Sequence, residues 1–144
     1  IHRTLLTTLL DMWLAPMLRI NPRGEPLAEV LAYVQAKLEM SRRFPRESRL
    51  FAHEILQGAP HLTEILGGGL REVVDGAAAI LQGWMDEGRL APVEPRHLIF
   101  SIWALTQHYA DFDVQVRAVL GPSHDPLAEA GPFLDNLYRK MLSV

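Results

Sequence analysis

The stretch PRHLIFSIWALTQHYADFDVQVRAVL, residues 95–120, decides the fold of this chain. It begins at a proline and has the length and apolar spacing of one long helix. From Leu98 to Phe112, ten of the fifteen residues are apolar, whereas a surface helix needs a single apolar stripe about 100° wide. One stripe consists of Leu98, Ile102, Leu105, Tyr109 and Phe112, and a second stripe beside it of Ile99, Trp103 and Ala110.

Two arrangements account for a helix that is apolar on most of its sides. It lies at the centre of a helical bundle, or one face packs on its own domain and another face on a second copy of the chain. The small size of the domain favours the second arrangement, with the last helix as the companion. The predicted dimer interface consists of nine large side chains on these two helices: Leu98, Ile102, Leu105, Tyr109, Phe112, Leu134, Leu137, Tyr138 and Met141.

Proline and glycine divide the rest of the chain into stretches of helical length. Each stretch carries apolar residues at helical spacing, as in Val30, Val34 and Leu38 after Pro26, a proline that suits the first turn of a helix. Pro132 is expected to kink the last helix or delay its start. No stretch alternates apolar and polar residues over the length of a strand. The sequence therefore predicts a single all-α domain of about six helices over residues 1–144.

The composition is that of an ordinary globular domain, with 49% hydrophobic and 22% charged residues and a net charge of −3. The absence of cysteine excludes disulfides and Cys-based metal or redox sites. No run approaches the roughly 18–20 apolar residues that span a bilayer, and the net charge does not favour a broad nucleic-acid-binding face. Because the sequence lacks an initiator Met and Ile1 runs directly into a helical pattern, we expect a fragment of a longer protein. The absence of cysteine fits a reducing compartment, and we expect a cytoplasmic protein without a membrane partner.

Motifs of catalysis and metal binding are weak, and we expect neither an enzyme nor a cofactor nor a metal site. Residues 94–97 have the E-x-x-H spacing of di-iron bundles, but that chemistry needs a second motif and two more glutamates, so Glu94 is expected to cap a helix or face solvent. Glycines 67–69 lack the lysine of a phosphate-binding loop and predict a helix break.

His108 and Asp111 are expected to form a surface or interface hydrogen bond. An ion-paired or solvated face is predicted for Arg42, Arg43, Arg46 and Arg49.

A ligand pocket is one interpretation of the aromatic residues. Trp13, Trp84 and Trp103 fall on three predicted helices, where large buried aromatics usually belong to the core. Gln107 lies one turn after Trp103 and offers both a donor and an acceptor. An unpaired buried amide costs roughly 1–3 kcal/mol. From the residues alone, two interpretations are equally good. The first is a small planar ligand held between aromatic walls, and the second is a glutamine that bonds across a helix interface.

Several long strings in the chain match one known family. They are DMWLAP at 11–16, LEMSR at 38–42, SRLF at 48–51, GAP at 58–60, LAP at 90–92, HLIF at 97–100 and TQHYADF at 106–112. With these strings the chain resembles the C-terminal domain of TetR-type bacterial transcription regulators, in the branch that controls pyrimidine utilisation. The likeness extends to about Leu120 and weakens after Gly121, where Pro132 departs from the pattern.

The resemblance implies a DNA-binding head that precedes this domain and is absent from the chain, and a homodimer formed through the last two long helices. In such regulators the effector shifts the first helix of the domain, here about Thr4 to Arg19, and so changes the spacing of the two heads on DNA. In the pyrimidine branch the effector is uracil or thymine. The resemblance places its contacts at Trp13, Trp103 and Gln107, and the full set of candidate ligand-binding residues is Trp13, Trp103, Gln107, Thr106, Trp84 and Phe51.

Two other functions stay open on the residues alone. One is a purely structural dimerisation module in which the tryptophans belong to the core. The other is a small helical carrier or enzyme that uses the pocket directly, although no coherent catalytic set is visible in the sequence. An open cavity lined by Trp13, Trp103 and Gln107 would argue against the structural module.

Overall fold

A computed structural model describes residues 2–60 and 66–144 of the chain, which form seven α-helices. No strand occurs in these two ranges, and the predicted all-α class is confirmed. The helices are α1 (His2–Leu18), α2 (Pro26–Arg43), α3 (Pro45–Leu56), α4 (Arg71–Asp86), α5 (Pro95–Asp111), α6 (Asp113–Leu120) and α7 (Pro126–Leu142).

Helices α2, α5 and α7 begin in the same way, with an acidic residue followed by proline. The carboxylates of Glu25, Glu94 and Asp125 each accept a hydrogen bond from a backbone N–H three residues later, at 2.6, 2.8 and 3.3 Å. Such caps satisfy N–H groups that have no partner inside the helix, and proline at the first position has no N–H to satisfy. The capping role expected for Glu94 is therefore confirmed.

The prediction of one continuous helix from Pro95 to Leu120 is wrong, because a single residue interrupts it. Phe112 has φ −118° and ψ 31°, outside the helical range, and separates α5 from α6. The ring of His108 stacks on the ring of Phe112, with 4.9 Å between the centroids. Asp113 then begins α6 and pairs with Arg117 one turn later. Neither proline nor glycine marks this interruption in the sequence.

Two predicted breaks are occupied by helical residues. Glycines 67–69 belong to a π-helical turn, Leu66–Leu70, that continues directly into α4, and residues 61–65 before it lie outside the described residues. Pro132 lies inside α7, which already begins at Pro126, so the proline does not delay the helix. Next to it, the Gln35 side-chain amide of α2 donates a hydrogen bond to the Gly131 carbonyl at 3.1 Å.

Helix α2 occupies the centre of the fold and packs against both α5 and α7. The main core joins these three helices to α4 and includes Val34, Leu81, Trp84, Ile99, Leu134 and Leu142. The Ser101 hydroxyl and the Tyr138 phenol share a hydrogen bond of 2.9 Å that links α5 to α7 inside this core. A smaller cluster, with Leu6 and Ala59 at its centre and Leu50 and Phe51 packed against it, lies between α1 and α3.

The predicted dimer face needs correction, because four of its nine residues are used inside the protomer. Leu98, Ile102, Leu134 and Tyr138 are at most 3% exposed and belong to the main core, so they are not free to contact a second copy. Leu105, Tyr109 and Leu137 are half-buried, and Phe112 and Met141 are exposed. Phe100 of α5 and Phe133 of α7 are also exposed, at 45% and 59%.

Candidate ligand-binding site

A cavity of about 470 Å³ is lined by residues of α1, α2, α3 and α5, together with Leu70 of the π-helical turn and Phe112 after α5. Its volume lies within the range of about 300–1,000 Å³ that is usual for small-molecule sites. Apolar side chains form most of its surface. The lining residues are Leu10, Trp13, Leu14, Lys37, Ser48, Phe51, Ala52, Ile55, Leu56, Leu70, Trp103, Gln107, Asp111 and Phe112.

The aromatic part of the lining comes from α1, α3 and α5. Trp13 of α1 is 4% exposed and packs against Phe51 of α3, with 5.2 Å between the ring centroids and 52° between the planes. Trp103 of α5 donates its indole N–H to the Tyr33 phenol at 2.8 Å. This bond fixes the Trp103 ring and satisfies its polar atom. The structure thus brings three predicted residues, Trp13, Phe51 and Trp103, to one cavity.

Four polar side chains interrupt the apolar lining: Lys37, Ser48, Gln107 and Asp111. The side-chain amide of Gln107, which the sequence predicted, forms no hydrogen bond with any residue in the described part of the chain. Its amide can therefore donate to and accept from a molecule in the cavity. This arrangement favours the ligand interpretation of Gln107 over the alternative of a bond across a helix interface.

Lys37 is a buried cation that the sequence analysis did not include. It is 2% exposed, and its ammonium lies 5.8 Å from the centroid of the Trp13 ring, within the range of a cation–π contact. Burial lowers the pKa of Lys37 to about 7, against a smaller opposing effect of the Asp111 carboxylate. The pKa falls because an ammonium group loses strong hydration on burial. Lys37 is the one basic side chain among the lining residues of the cavity.

Asp111 binds Ser48 of α3, and not His108 as predicted. The buried Ser48 hydroxyl donates to the Asp111 carboxylate at 2.6 Å, while His108 stacks on Phe112. Burial raises the pKa of Asp111, and the bond from Ser48 opposes that rise. The next residue of α3, Arg49, donates to the Ala110 carbonyl at 3.0 Å. Two adjacent bonds therefore attach the start of α3 to the last turn of α5.

The predicted arginine face is only partly solvated or ion-paired. Arg42 pairs with Glu39 on the exposed side of α2, as expected. Arg49, by contrast, is used in the contact with Ala110 at the end of α5. It belongs to the scaffold of the cavity rather than to a solvated face.

Two predicted ligand-binding residues lie outside the cavity. Trp84 is 2% exposed within the main core and donates its indole N–H to the Pro22 carbonyl at 3.2 Å. Thr106 is fully buried, and its hydroxyl donates to the Ile102 carbonyl of its own helix at 2.6 Å. Both polar atoms are satisfied within the protein, so neither residue is kept as a ligand contact.

A signal for Lys37 was present in the sequence. Helical spacing places it on the same side of α2 as Tyr33, Val34 and Ser41, all of which are buried. A charged residue on an apolar stripe is seldom buried without a partner or a function. The contacts of Ser48 and Asp111 had no such local signal, since 63 residues separate the two in the chain.

Neither a metal site nor a membrane span is found in the described ranges. No group of three or more His, Asp or Glu side chains there is arranged to hold a metal ion. None of the described helices is both long enough and apolar enough to cross a bilayer.

Comparison with known proteins assigns the chain to a class of regulators. Over residues 6–143 it matches the family described as "YcdC-like protein, C-terminal region". The chain belongs to this family, a C-terminal domain of TetR-type transcription regulators, which confirms the resemblance read from the sequence.

Its relatives include proteins named HTH-type transcriptional regulator RutR, from Escherichia coli O157:H7, Escherichia coli strain K12 and Shigella flexneri. Each is 48% identical over 121 residues, which are 84% of this chain and 57% of the relative. The chain therefore spans just over half the length of these relatives, all of which are regulators by name.

Proposed function

We propose that this chain is the effector-sensing and dimerisation domain of a TetR-type transcriptional regulator. The observation that carries the proposal is that Trp13 of α1 and Trp103 of α5 line the same cavity. The membership of the family and the names of the relatives support the regulatory role. In this proposal, a DNA-binding head outside the chain contacts DNA. The whole protein is proposed to be cytoplasmic.

The effector proposed is a small planar heterocycle of the pyrimidine nucleobase type, such as uracil or thymine. The aromatic rings of Trp13, Phe51 and Trp103 offer flat apolar surfaces to its ring. Gln107 offers a donor and an acceptor to its polar edge. A cavity that combines apolar walls with a few convergent polar groups is the usual design of a small-molecule site.

The effector would act by coupling α1 to α5. A ligand that contacts both Trp13 and Trp103 favours whichever arrangement of the two helices it binds more tightly. It shifts the equilibrium only by the difference between its affinities for the two arrangements. Because α1 is the first helix of the domain, its displacement would change the position of the DNA-binding head.

Dimerisation is proposed to use the outward side of α5 and α7. Leu105, Leu137, Met141 and Phe133 leave apolar surface on this side, in addition to the residues that close the protomer's own core. A two-fold interface needs a self-complementary patch of this kind. Measurement of mass in solution tests this part, and a monomer at micromolar concentration would contradict it.

Isothermal titration calorimetry with a panel of uracil, thymine, cytosine and adenine tests the effector. We expect uracil or thymine to bind, and Gln107→Ala to weaken that binding by about tenfold or more, because it removes the hydrogen-bonding amide. The matched control is Gln82→Ala, which removes an exposed glutamine of α4 that does not line the cavity. The nucleobase proposal fails if no member of the panel binds, or if Gln107→Ala and Gln82→Ala bind equally well.

Two outcomes would favour the other functions. Absence of binding by any heterocycle would favour a structural dimerisation module. Binding that leaves the operator affinity of the head-containing protein unchanged would favour a carrier without a regulatory role.

A further inference from the structure

The lining of the cavity between α1, α2, α3 and α5 is mostly buried or half-buried, but three of its residues are exposed. Ile55 and Leu56, at the end of α3, are 40% and 83% exposed, and Phe112, between α5 and α6, is 53% exposed. A molecule that enters the cavity from solvent has to pass such residues. The described part of the chain therefore offers two candidate routes, one at the end of α3 and one at Phe112.

A groove of about 540 Å³ lies next to the cavity at Phe112. Its lining consists of Arg49 of α3, residues 111–115 and Ala118 of α6. Asp111 and Phe112 line both the cavity and the groove, so these two side chains form the partition between the two spaces. The groove is large enough to hold a small molecule directly outside this partition.

Of the two residues in the partition, Asp111 is the one held in place. Its carboxylate accepts a hydrogen bond from the Ser48 hydroxyl at 2.6 Å, and the neighbouring pair, Arg49 and the Ala110 carbonyl, is joined at 3.0 Å. Hydrogen bonds in which one partner is ionised are shorter and stronger than neutral ones. The contact between α3 and α5 therefore sets the position of Asp111.

The ring of Phe112 is held less firmly than Asp111. It belongs to neither hydrophobic cluster of the described residues, and it stacks on His108, which is itself exposed. The backbone of Phe112 is anchored, because its N–H donates to the His108 carbonyl and its carbonyl accepts from the Val116 N–H. Rotation of the side chain therefore moves the ring while the backbone stays in place. Exposed side chains change rotamer within roughly picoseconds to nanoseconds.

We propose that the ring of Phe112 is a gate between the groove and the cavity, through which small neutral molecules enter and leave. The gate is closed while the ring stacks on His108 and open when the ring leaves that position. Ions are disfavoured, because the lining beyond the gate is mainly apolar. The proposal rests on the proposed function in one respect: it describes how the effector reaches the cavity, and it adds a route rather than a further contact.

His108 distinguishes a gate from an ordinary lining residue. It lines neither the cavity nor the groove, so its loss removes no surface that a molecule in either space would touch. Its loss does remove the ring contact that stabilises the closed gate, a contact that changes an equilibrium by roughly 2- to 10-fold. His108→Ala should therefore raise the rates of entry and exit by a similar factor. The Kd, which is the ratio of these rates, should stay the same.

Stopped-flow measurement of uracil binding tests the gate. The signal is tryptophan fluorescence, because two tryptophans line the cavity. We expect Phe112→Ala and His108→Ala to raise both the association and the dissociation rate constants by about 2- to 10-fold. The matched control is His97→Ala, which removes an exposed histidine that contacts Phe100 on the same helix and lines neither space. Its rate constants should equal those of the wild type.

Thiol labelling measures entry into the cavity without relying on the effector. The chain contains no cysteine, so Ala52→Cys places the only thiol in the cavity wall. Methyl methanethiosulfonate, a small neutral reagent, should label this thiol about 2- to 10-fold faster when His108→Ala is added. Addition of His97→Ala should leave the labelling rate unchanged. A cooperative thermal transition of each variant shows that the labelling reports on the folded domain.

The outcomes separate the gate from the proposed function. Rates of uracil binding and of thiol labelling that His108→Ala leaves unchanged would overturn the gate and leave the effector role intact. Acceleration by Leu56→Ala instead of His108→Ala would also overturn it, since entry would then take place at the end of α3. If uracil does not bind but thiol labelling responds to His108→Ala as expected, the gate is supported and the effector proposal is wrong.

Discussion

Replacing Lys37 by methionine should stabilise the ligand-free domain while removing one polar group from the proposed effector site. Burial lowers the pKa of Lys37 from 10.5 to about 7. At 1.36 kcal/mol for each pH unit, this change corresponds to roughly 5 kcal/mol in favour of the neutral amine. The same energy measures what the folded domain loses by holding the charged form at low pH. Methionine has a similar length, carries no charge and fills apolar space without a hydrogen-bond requirement.

This figure already includes the opposing attraction of Asp111. The net gain is smaller than the figure, because the variant also loses the cation–π contact with Trp13. Replacement of buried charged groups by apolar ones of similar volume often stabilises a protein by about 1–4 kcal/mol. In a domain of this size each kcal/mol raises the melting temperature by about 2–4 °C. We therefore expect Lys37→Met to melt roughly 2–16 °C above the wild type at neutral pH.

The difference should depend on pH with a defined sign. The unfolded chain keeps the lysine protonated up to about pH 10.4, whereas the folded domain releases that proton near pH 7. Between these values the unfolded state binds more protons, so the stability of the wild type rises with pH. Lys37→Met lacks this contribution. Its advantage over the wild type should be largest below about pH 7 and should shrink toward about pH 10.

Thermal melts followed by circular dichroism at about pH 6 and about pH 9 measure both effects. Lys140→Met is the matched control, since Lys140 is exposed on α7 and its loss should change stability by less than about 1 kcal/mol. A Lys37→Met variant that melts below the wild type at both pH values would refute the reasoning. The buried ammonium would then be a net source of stability rather than a cost retained for binding.

Three further predictions concern the scaffold. Tyr33→Phe removes the acceptor of the Trp103 indole N–H and should lower the free energy of unfolding by about 1–3 kcal/mol. Thermal melting measures this loss, and an unchanged melting temperature would show that the hydrogen bond is replaceable. Glu94→Ala removes the cap of α5 and should cost about 1 kcal/mol, with Glu94→Gln between it and the wild type; equal melts of all three would contradict the role of the cap. Leu137→Arg should weaken the proposed dimer in sedimentation experiments, and a dimer of unchanged stability would place the interface elsewhere.

The helix starts were predictable because their signals are local. An acidic residue followed by proline marks the beginnings of α2, α5 and α7, and both effects operate within one turn. The break at Phe112 was not predictable, because no helix-breaking residue marks it. The ring contact of Phe112 with His108 and the start of α6 at Asp113 accompany it.

The division of apolar residues between core and interface could not be read from spacing alone. Leu98 and Ile102 share a stripe with Leu105 and Tyr109, yet the first pair is buried and the second is half-buried. The difference arises from tertiary packing, since Leu98 and Ile102 belong to the main core whereas Leu105 and Tyr109 pack against it and stay partly exposed. Only the packing of three helices decides which residues remain outside.

The residues of the candidate site also differ in how far the local sequence could predict them. The family resemblance and the residue types predicted Trp13, Trp103 and Gln107. The link between Ser48 and Asp111 depends on how α3 lies against the end of α5, which no local pattern encodes. Lys37 lies between these cases, because its position on the buried stripe of α2 was visible but its neighbours were not.

Phe112 contributes to two surfaces at once, although it belongs to neither α5 nor α6. It lines the cavity beside Asp111, and it is also 53% exposed on the outside of the domain. Its backbone angles set the direction in which α6 leaves α5. A substitution that reshapes the cavity at this point therefore also alters the outer surface, so the proposed ligand preference and the proposed subunit contacts would not vary independently here. Variation at this position is expected to be accompanied by compensating changes in α6.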